Sequence, residues 1–105
     1  MIHELRTYRI PDGRMPDILA RFENTTFAIF ERHNIKVVGF WAKKDANELV
    51  YICEFNSEDA MNSAWDAFRA DPDWAKAKAE TEANGPIVSE VISETLTPTS
   101  FSPIH

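Results

Sequence analysis

Residues 30–41, with the sequence FERHNIKVVGFW, decide the fold of this chain. They join the end of an amphipathic helix to a strand that is apolar on both faces. Asn34 lies between the two elements, and asparagine tolerates the left-handed conformation that closes a helix better than any residue except glycine. The junction therefore predicts that the helix ends at Asn34 and that the chain reverses directly into a sheet.

The segment before this junction predicts one strand and one long helix. Residues 2–10 alternate between two faces, as a strand does, and the Pro-Asp-Gly sequence at 11–13 predicts a tight turn after them. From Met15 as far as His33, apolar side chains recur at helical spacing. We therefore expect a strand followed by an amphipathic helix.

The segment after the junction predicts a β-hairpin. Residues 35–42 and 48–55 have strand character and flank a polar turn. Strict alternation in the first of these strands would place Ile35, Val37, Gly39 and Trp41 on one face and Val38, Phe40 and Ala42 on the other. Both faces of that strand would then be apolar.

The second half of the chain predicts two more helices and a last strand. Asn56 or Ser57 is expected to cap the first of these helices. Asp71 followed by proline starts the second, which should end near residue 83. Residues 87–96 alternate again as a strand. We expect a single domain over residues 1–97 and a C-terminal arm over residues 98–105.

The resulting order, β-α-β-β-α-(α)-β, is typical of an α+β, ferredoxin-like fold, in which helices cover one face of a four-stranded antiparallel sheet. The uncovered face stays apolar. Four strands at about 4.8 Å spacing and roughly 20 Å length expose about 400 Å² in projection. An apolar patch of that size marks an interaction surface, so we expect a homodimer that packs through the sheet face.

Composition excludes several classes of partner. The 105 residues include 11 basic and 17 acidic side chains, for a formal net charge of -6 without a basic cluster, so nucleic acid and membrane surfaces are not expected partners. No signal or membrane-spanning segment is recognisable, and Cys53 is the single cysteine, which predicts an unprocessed cytoplasmic protein without disulfides. The scattered histidines and glycines predict no metal site and no nucleotide cofactor.

Three residues are candidates for catalysis. His33 can act as a general base at the mouth of a pocket, or it can stabilise the carbonyl end of its helix. Arg6, with Glu4 on the same strand face, can bind a carboxylate or orient a proton relay, or it can form a structural ion pair or a dimer contact. Tyr8 offers a phenol donor, although a tyrosine at the rim of a core is common.

Four aromatic residues are candidates for ligand binding: Trp41, Tyr51, Trp65 and Trp74. They can line a cavity for a flat apolar molecule, or they can belong entirely to the core. Three tryptophans are many for 105 residues, which favours some role in binding. Cys53, in the middle of an apolar strand, is interpreted as an inert hydrophobic side chain.

Five stretches together resemble the NIPSNAP family of the dimeric α/β-barrel, ferredoxin-like superfamily. They are ELRTY at 4–8, HNIKVVGFW at 33–41, ELVY at 48–51, AWDAFRADPDW at 64–74 and LTPTSFSP at 96–103. The family commonly has His-Gly-Ile where this chain has His33, Asn34 and Ile35, a change that the left-handed cap tolerates. The resemblance implies the same fold and the same dimer.

The resemblance implies less about function, because one fold hosts many chemistries. Similar folds include cofactor-independent monooxygenases, dehalogenating and lactone-forming enzymes and haem-degrading proteins, whereas some NIPSNAP members act as binding or scaffold proteins. Our first hypothesis is that the chain binds a small apolar or aromatic molecule between sheet and helices, with cofactor-independent catalysis. The alternative is a non-catalytic protein-interaction or scaffold module.

Overall fold

The computed structural model describes residues 1–104 and contains one four-stranded sheet. The strands are β1 (Ile2–Arg9), β2 (Lys36–Ala42), β3 (Glu48–Phe55) and β4 (Glu90–Leu96). Their order across the sheet is β2-β3-β1-β4, and every neighbouring pair is antiparallel. The helices pack on one face, so the predicted α+β, ferredoxin-like arrangement is confirmed.

The first predicted helix is interrupted by a wider turn. It consists of α1 (Met15–Arg21), a π-helical segment (Phe22–Thr26) and α2 (Phe27–Arg32). The backbone N–H of Phe27 bonds to the carbonyl of Phe22, five residues back. This turn holds one more residue than an α-helical turn and rotates the following side chains around the axis. The prediction of one uninterrupted α-helix is wrong at this point.

Two further helices, α3 (Glu58–Ala70) and α4 (Pro72–Thr81), follow the hairpin. The Ser57 hydroxyl caps α3 by accepting a bond of 3.1 Å from the backbone N–H of Ala60. The Asp71 carboxylate caps α4 through the N–H of Asp73 at 2.8 Å. Asn34 has a φ of 60°, in the left-handed region. These three boundaries lie where local chemistry predicted them.

A β-bulge in β2 reverses the predicted alternation. Val37 pairs with Cys53 and Gly39 pairs with Ile52, so Val38 is an extra residue between two pairs. As a result Val37 and Phe40 share the helix-covered side, whereas Trp41 lies on the open side. A Cβ added at Gly39 would be 2.8 Å from Cη2 of Trp41, so the indole packs directly over this glycine.

The core lies between the helices and the covered face of the sheet. Leu49, Tyr51, Cys53 and Phe55 of β3 all face the helices and are buried. The Phe30 ring of α2 lies centrally among them and among the aromatic rings of α3. The opposite face of the sheet carries the half-buried and exposed aliphatic side chains.

Candidate functional site

A cleft of about 360 Å³ opens on the helix-covered side of the sheet, between the β1 and β4 strands and helices α3 and α4. Its lining includes Arg6, Tyr8, Arg21, Trp65, Trp74 and Val91. The volume lies within the range of about 300–1,000 Å³ that small-molecule sites occupy. The cleft combines aromatic walls with a polar floor.

The floor of the cleft is organised by a buried carboxylate. Glu4 is only 2% exposed. It accepts hydrogen bonds from Nε1 of Trp65 at 2.7 Å, from Nη1 of Arg6 at 3.0 Å and from the hydroxyl of Ser93. A buried charge is tolerated when it is paired and hydrogen-bonded. Glu4 therefore fixes the indole of Trp65 and the guanidinium of Arg6 in place.

Arg6 connects this carboxylate to two tyrosines. Its Nε donates to the hydroxyl of Tyr51 at 2.8 Å, and its guanidinium carbon lies 4.2 Å from the centre of the Trp65 ring. Burial by itself would lower the pKa of Arg6, but interactions with Tyr51, Tyr8 and Glu4 raise it above the usual value. Arg6 is consequently a permanent cation within an aromatic enclosure.

The two tyrosine hydroxyls are 2.7 Å apart. Burial raises the pKa of Tyr51 well above its usual value, and Tyr8 raises it further against the opposing charge of Arg6. Tyr51 is thus a neutral phenol. Arginine can only donate, so the Tyr51 oxygen accepts from Arg6, and either hydroxyl can donate in the bond between the two tyrosines. Donation by Tyr51 gives its buried hydrogen an acceptor and leaves the Tyr8 hydrogen available to the cleft.

His33 lies away from this cleft, against a separate cavity of about 690 Å³. Its Nε2 is 2.7 Å from Oδ2 of Asp71, to which Arg32 also bonds at 3.1 Å. The bond from His33 lowers the pKa of Asp71 although burial opposes this, and the N–H of Asp73 and the charge of Arg32 add to the lowering. His33 therefore ties the end of α2 to the cap of α4.

The structure separates the aromatic candidates. Trp65 and Trp74 line the cleft, and Tyr51 lies fully buried beneath it. Trp41 is 52% exposed on the opposite face of the sheet, because the β2 bulge turns it outward. Of the catalytic candidates, Arg6 and Tyr8 come together at the cleft and His33 does not.

Cys53 lies beneath the floor of the cleft and does not line it. Burial raises the pKa of this thiol to about 12, and the charge of Glu4 contributes against the opposing charge of Arg6. The thiol stays protonated at neutral pH and is a poor nucleophile.

Within residues 1–104, no three His, Cys, Asp or Glu side chains are grouped so that they could hold a metal ion. In the same residues, no helix has the length and apolar character needed to cross a membrane.

A family model identifies the relatives of this chain. The model of the NIPSNAP family matches residues 3–103. The chain belongs to the NIPSNAP family. None of the curated protein sequences is detectably similar to it.

Solved structures of other NIPSNAP proteins have the same fold. A NIPSNAP family protein of unknown function from Agrobacterium tumefaciens is 27% identical, with all of this chain and 94% of the other chain covered and a TM-score of 0.88. An uncharacterised NIPSNAP domain protein from Burkholderia xenovorans is 24% identical, covers 98% of this chain and 99% of its own, and has a TM-score of 0.86. A Streptomyces coelicolor monooxygenase in complex with nanaomycin D shares the fold at 17% identity, covering 94% of this chain and 88% of its own, with a TM-score of 0.63.

Several residues that line this NIPSNAP cleft were missed by sequence reasoning, among them Arg21 and Phe68, and so was Ser93, which bonds to the buried Glu4 beneath it. Ser93 lies on β4, far from its partner Glu4 in the chain, and no local pattern signals such a contact. Arg21 did carry a signal, because it falls on the apolar stripe of α1 between Ile18 and Phe22. A charged residue on an apolar stripe is expected to have a buried partner.

Proposed function

We propose that this NIPSNAP protein binds a small apolar or aromatic molecule in the cleft between sheet and helices, and that Tyr8 donates a hydrogen bond to an oxygen of that molecule. The supporting observation is the chain of contacts from Arg6 through Tyr51 to Tyr8, which ends where Trp65 and Trp74 form the walls. Tryptophan rings supply a large, rigid contact area for a flat ligand.

The same contacts support cofactor-independent catalysis on the bound molecule. A carbonyl oxygen held by Tyr8 gains negative charge when a neighbouring C–H bond gives its proton to a base, such as hydroxide from solvent. A phenol oxygen gains it when its own O–H bond gives its proton to the same base. Hydrogen bonds that are fixed in advance and backed by a cation stabilise such charge where it develops. Arg6 remains charged and Tyr51 remains neutral, so both keep their orientation during that step. In this proposal Tyr8 contacts the reacting oxygen, and Arg6 and Tyr51 position it.

The proposed binding is tested by screening aromatic phenols and ketones for thermal stabilisation and by measuring the affinity of a compound that binds. Tyr8→Phe removes one hydrogen bond and is expected to weaken that compound by about 5–10-fold. Trp74→Ala removes part of the wall and is expected to weaken it at least as much.

Trp41→Ala is the matched control, because it deletes the same side chain on the opposite face of the sheet. It should leave the affinity unchanged. The proposal is contradicted if no aromatic compound stabilises the protein, or if Tyr8→Phe and Trp74→Ala bind the compound as the unmodified chain does.

We further propose that a second copy of the chain covers the open face of the sheet. That face carries aliphatic and aromatic side chains on all four strands: Leu5, Val38, Trp41, Val50, Ile52, Ile92 and Leu96. Several of them are exposed in the single chain. An apolar patch of this kind on one chain supports self-association, and two such sheets can pack face to face as in a β-sandwich.

Light scattering tests the dimer. The unmodified chain is expected to show twice its mass of 12.0 kDa at micromolar concentration. Ile52→Glu, at the centre of the open face, should give a monomer because it would bury a charge at the interface. Leu19→Glu, an equally drastic change at an exposed position of α1, should leave the dimer intact. A monomeric unmodified chain, or equal dissociation of both variants, would contradict the proposal.

A further inference from the structure

We infer that the ligand of the cleft is an organic anion, an aromatic or apolar molecule that carries a carboxylate, and that Arg21 binds this carboxylate. The inference rests on the proposed binding function of the cleft and names the class of molecule that it takes. It is carried by the burial of Arg21, by its incomplete hydrogen bonding and by the charges around the cleft.

Arg21 is buried to an unusual degree for an arginine. It is the last residue of α1, and only 6% of its surface is exposed. Removing a charged group from water costs several kcal/mol, so a buried arginine is expected to be fully paired. Each N–H donor of Arg21 is therefore expected to have an acceptor.

The guanidinium of Arg21 is only partly paired. Its Nη1 donates to the Glu82 carboxylate at 2.9 Å and to the Thr81 hydroxyl at 3.1 Å. Its Nε is buried and has no hydrogen-bond partner among the described residues. Arginine has five N–H donors in a rigid fork, and a carboxylate can accept two parallel bonds from one edge of it. The Nε edge thus lacks the acceptor that a carboxylate would supply.

Stacking fixes the plane in which this fork lies. The guanidinium carbon of Arg21 is 4.8 Å from the centre of the Trp74 ring, and Arg6 stacks in the same way on Trp65 at 4.2 Å. Both tryptophans line the cleft, so each wall also holds a cation. An aromatic body against these rings would bring an attached carboxylate close to a guanidinium that is already oriented.

The charges lining the cleft also favour an anion. Arg6, Arg21, Arg69 and Lys78 line it, against Glu82 and Glu90. Lys78 makes no salt bridge within residues 1–104. With the buried carboxylate of Glu4 included, the cleft holds four cations and three carboxylates, a small excess of positive charge in a chain whose formal net charge is -6. A positive cleft on an acidic protein selects anionic over neutral molecules of the same shape.

The experiment uses two probes of nearly identical shape, 1-naphthoate and 1-naphthamide, titrated by calorimetry into the full chain. Naphthoate is expected to bind at least 10-fold more tightly than naphthamide. Arg21→Lys keeps the charge and the pair with Glu82 but removes the planar fork, so it should weaken naphthoate by about 10-fold and leave naphthamide unchanged. Arg32→Lys, the same change at an exposed arginine outside the cleft, should alter neither affinity by more than about 2-fold.

A measurement on the unmodified chain keeps the test valid if Arg21→Lys does not fold. In a ¹H–¹⁵N NMR spectrum, the Nε–H resonance of Arg21 should shift on addition of naphthoate and not on addition of naphthamide. Equal affinity for the two probes would overturn the anion inference and leave the proposed binding function standing. A naphthoate preference with an unchanged Arg21 resonance would overturn the role of Arg21. If neither probe binds and the aromatic library also yields no ligand, the inference and the proposed function both fall.

Discussion

Replacing Glu4 with alanine is expected to lower the free energy of unfolding by about 3–5 kcal/mol, because it leaves a buried cation without its counter-ion. Arg6 would lose its carboxylate partner at 3.0 Å, and the indole N–H of Trp65 would lose its acceptor at 2.7 Å. Ser93 would lose an acceptor as well.

Denaturation in guanidinium chloride measures this loss. Glu4→Gln keeps one acceptor oxygen but removes the charge, so its stability should lie between that of the unmodified chain and Glu4→Ala. Glu80→Ala, on the exposed side of α4, is the matched control and should change the free energy by no more than about 0.5 kcal/mol. Equal midpoints for Glu4→Ala and Glu80→Ala would show that the buried cluster does not support the fold.

Replacing Phe30 with alanine is expected to cost a similar amount, about 3–5 kcal/mol, through the cavity that it leaves. The residue is 1% exposed. Its ring centre lies 5.1 Å from that of Phe68, 5.4 Å from that of Trp65 and 6.0 Å from that of Tyr51. These rings belong to both the sheet and α3, so the core cannot close over the gap without moving an entire element.

Phe27 provides the matched control for Phe30, because it is the same residue type three positions earlier on α2. It is 41% exposed and packs on one side against Phe40. Phe27→Ala is therefore expected to cost less than about 1.5 kcal/mol in the same denaturation experiment. Equal losses for the two variants would show that Phe30 contributes no more to the core than the exposed Phe27 does.

Much of the fold could be predicted because its boundaries depend on local chemistry. Asn34 ends a helix by adopting a positive φ, Ser57 caps α3 with its hydroxyl, and Asp71 caps α4 ahead of a proline. Each of these effects involves residues within a few positions of one another. The order of strands and helices then follows from short connections between them.

Two irregularities were not predicted, and both move side chains between faces. The π-helical segment at Phe22–Thr26 adds a residue to one turn, and the bulge between Val37 and Gly39 adds a residue to β2. The π-helical segment has no local sequence signature, whereas Gly39 within a strand pattern is a weak signal of a bulge. The bulge is the reason that Trp41 lies on the open face, where sequence alternation alone could not place it.

The residues of the candidate site were also predictable only in part. The sequence identified Arg6, Tyr8, Trp65 and Trp74 as chemically capable, and it identified His33 equally, with nothing to separate them. Only the folded chain brings Trp65 to Glu4, 61 positions away, and directs His33 to Asp71 instead.

By itself, the sequence determined the order of the elements, the boundaries at Asn34, Ser57 and Asp71, and the family. The tertiary structure alone decided which face of each strand meets the helices and which polar groups share the cleft, because those outcomes depend on long-range packing and on the pairing of buried charges.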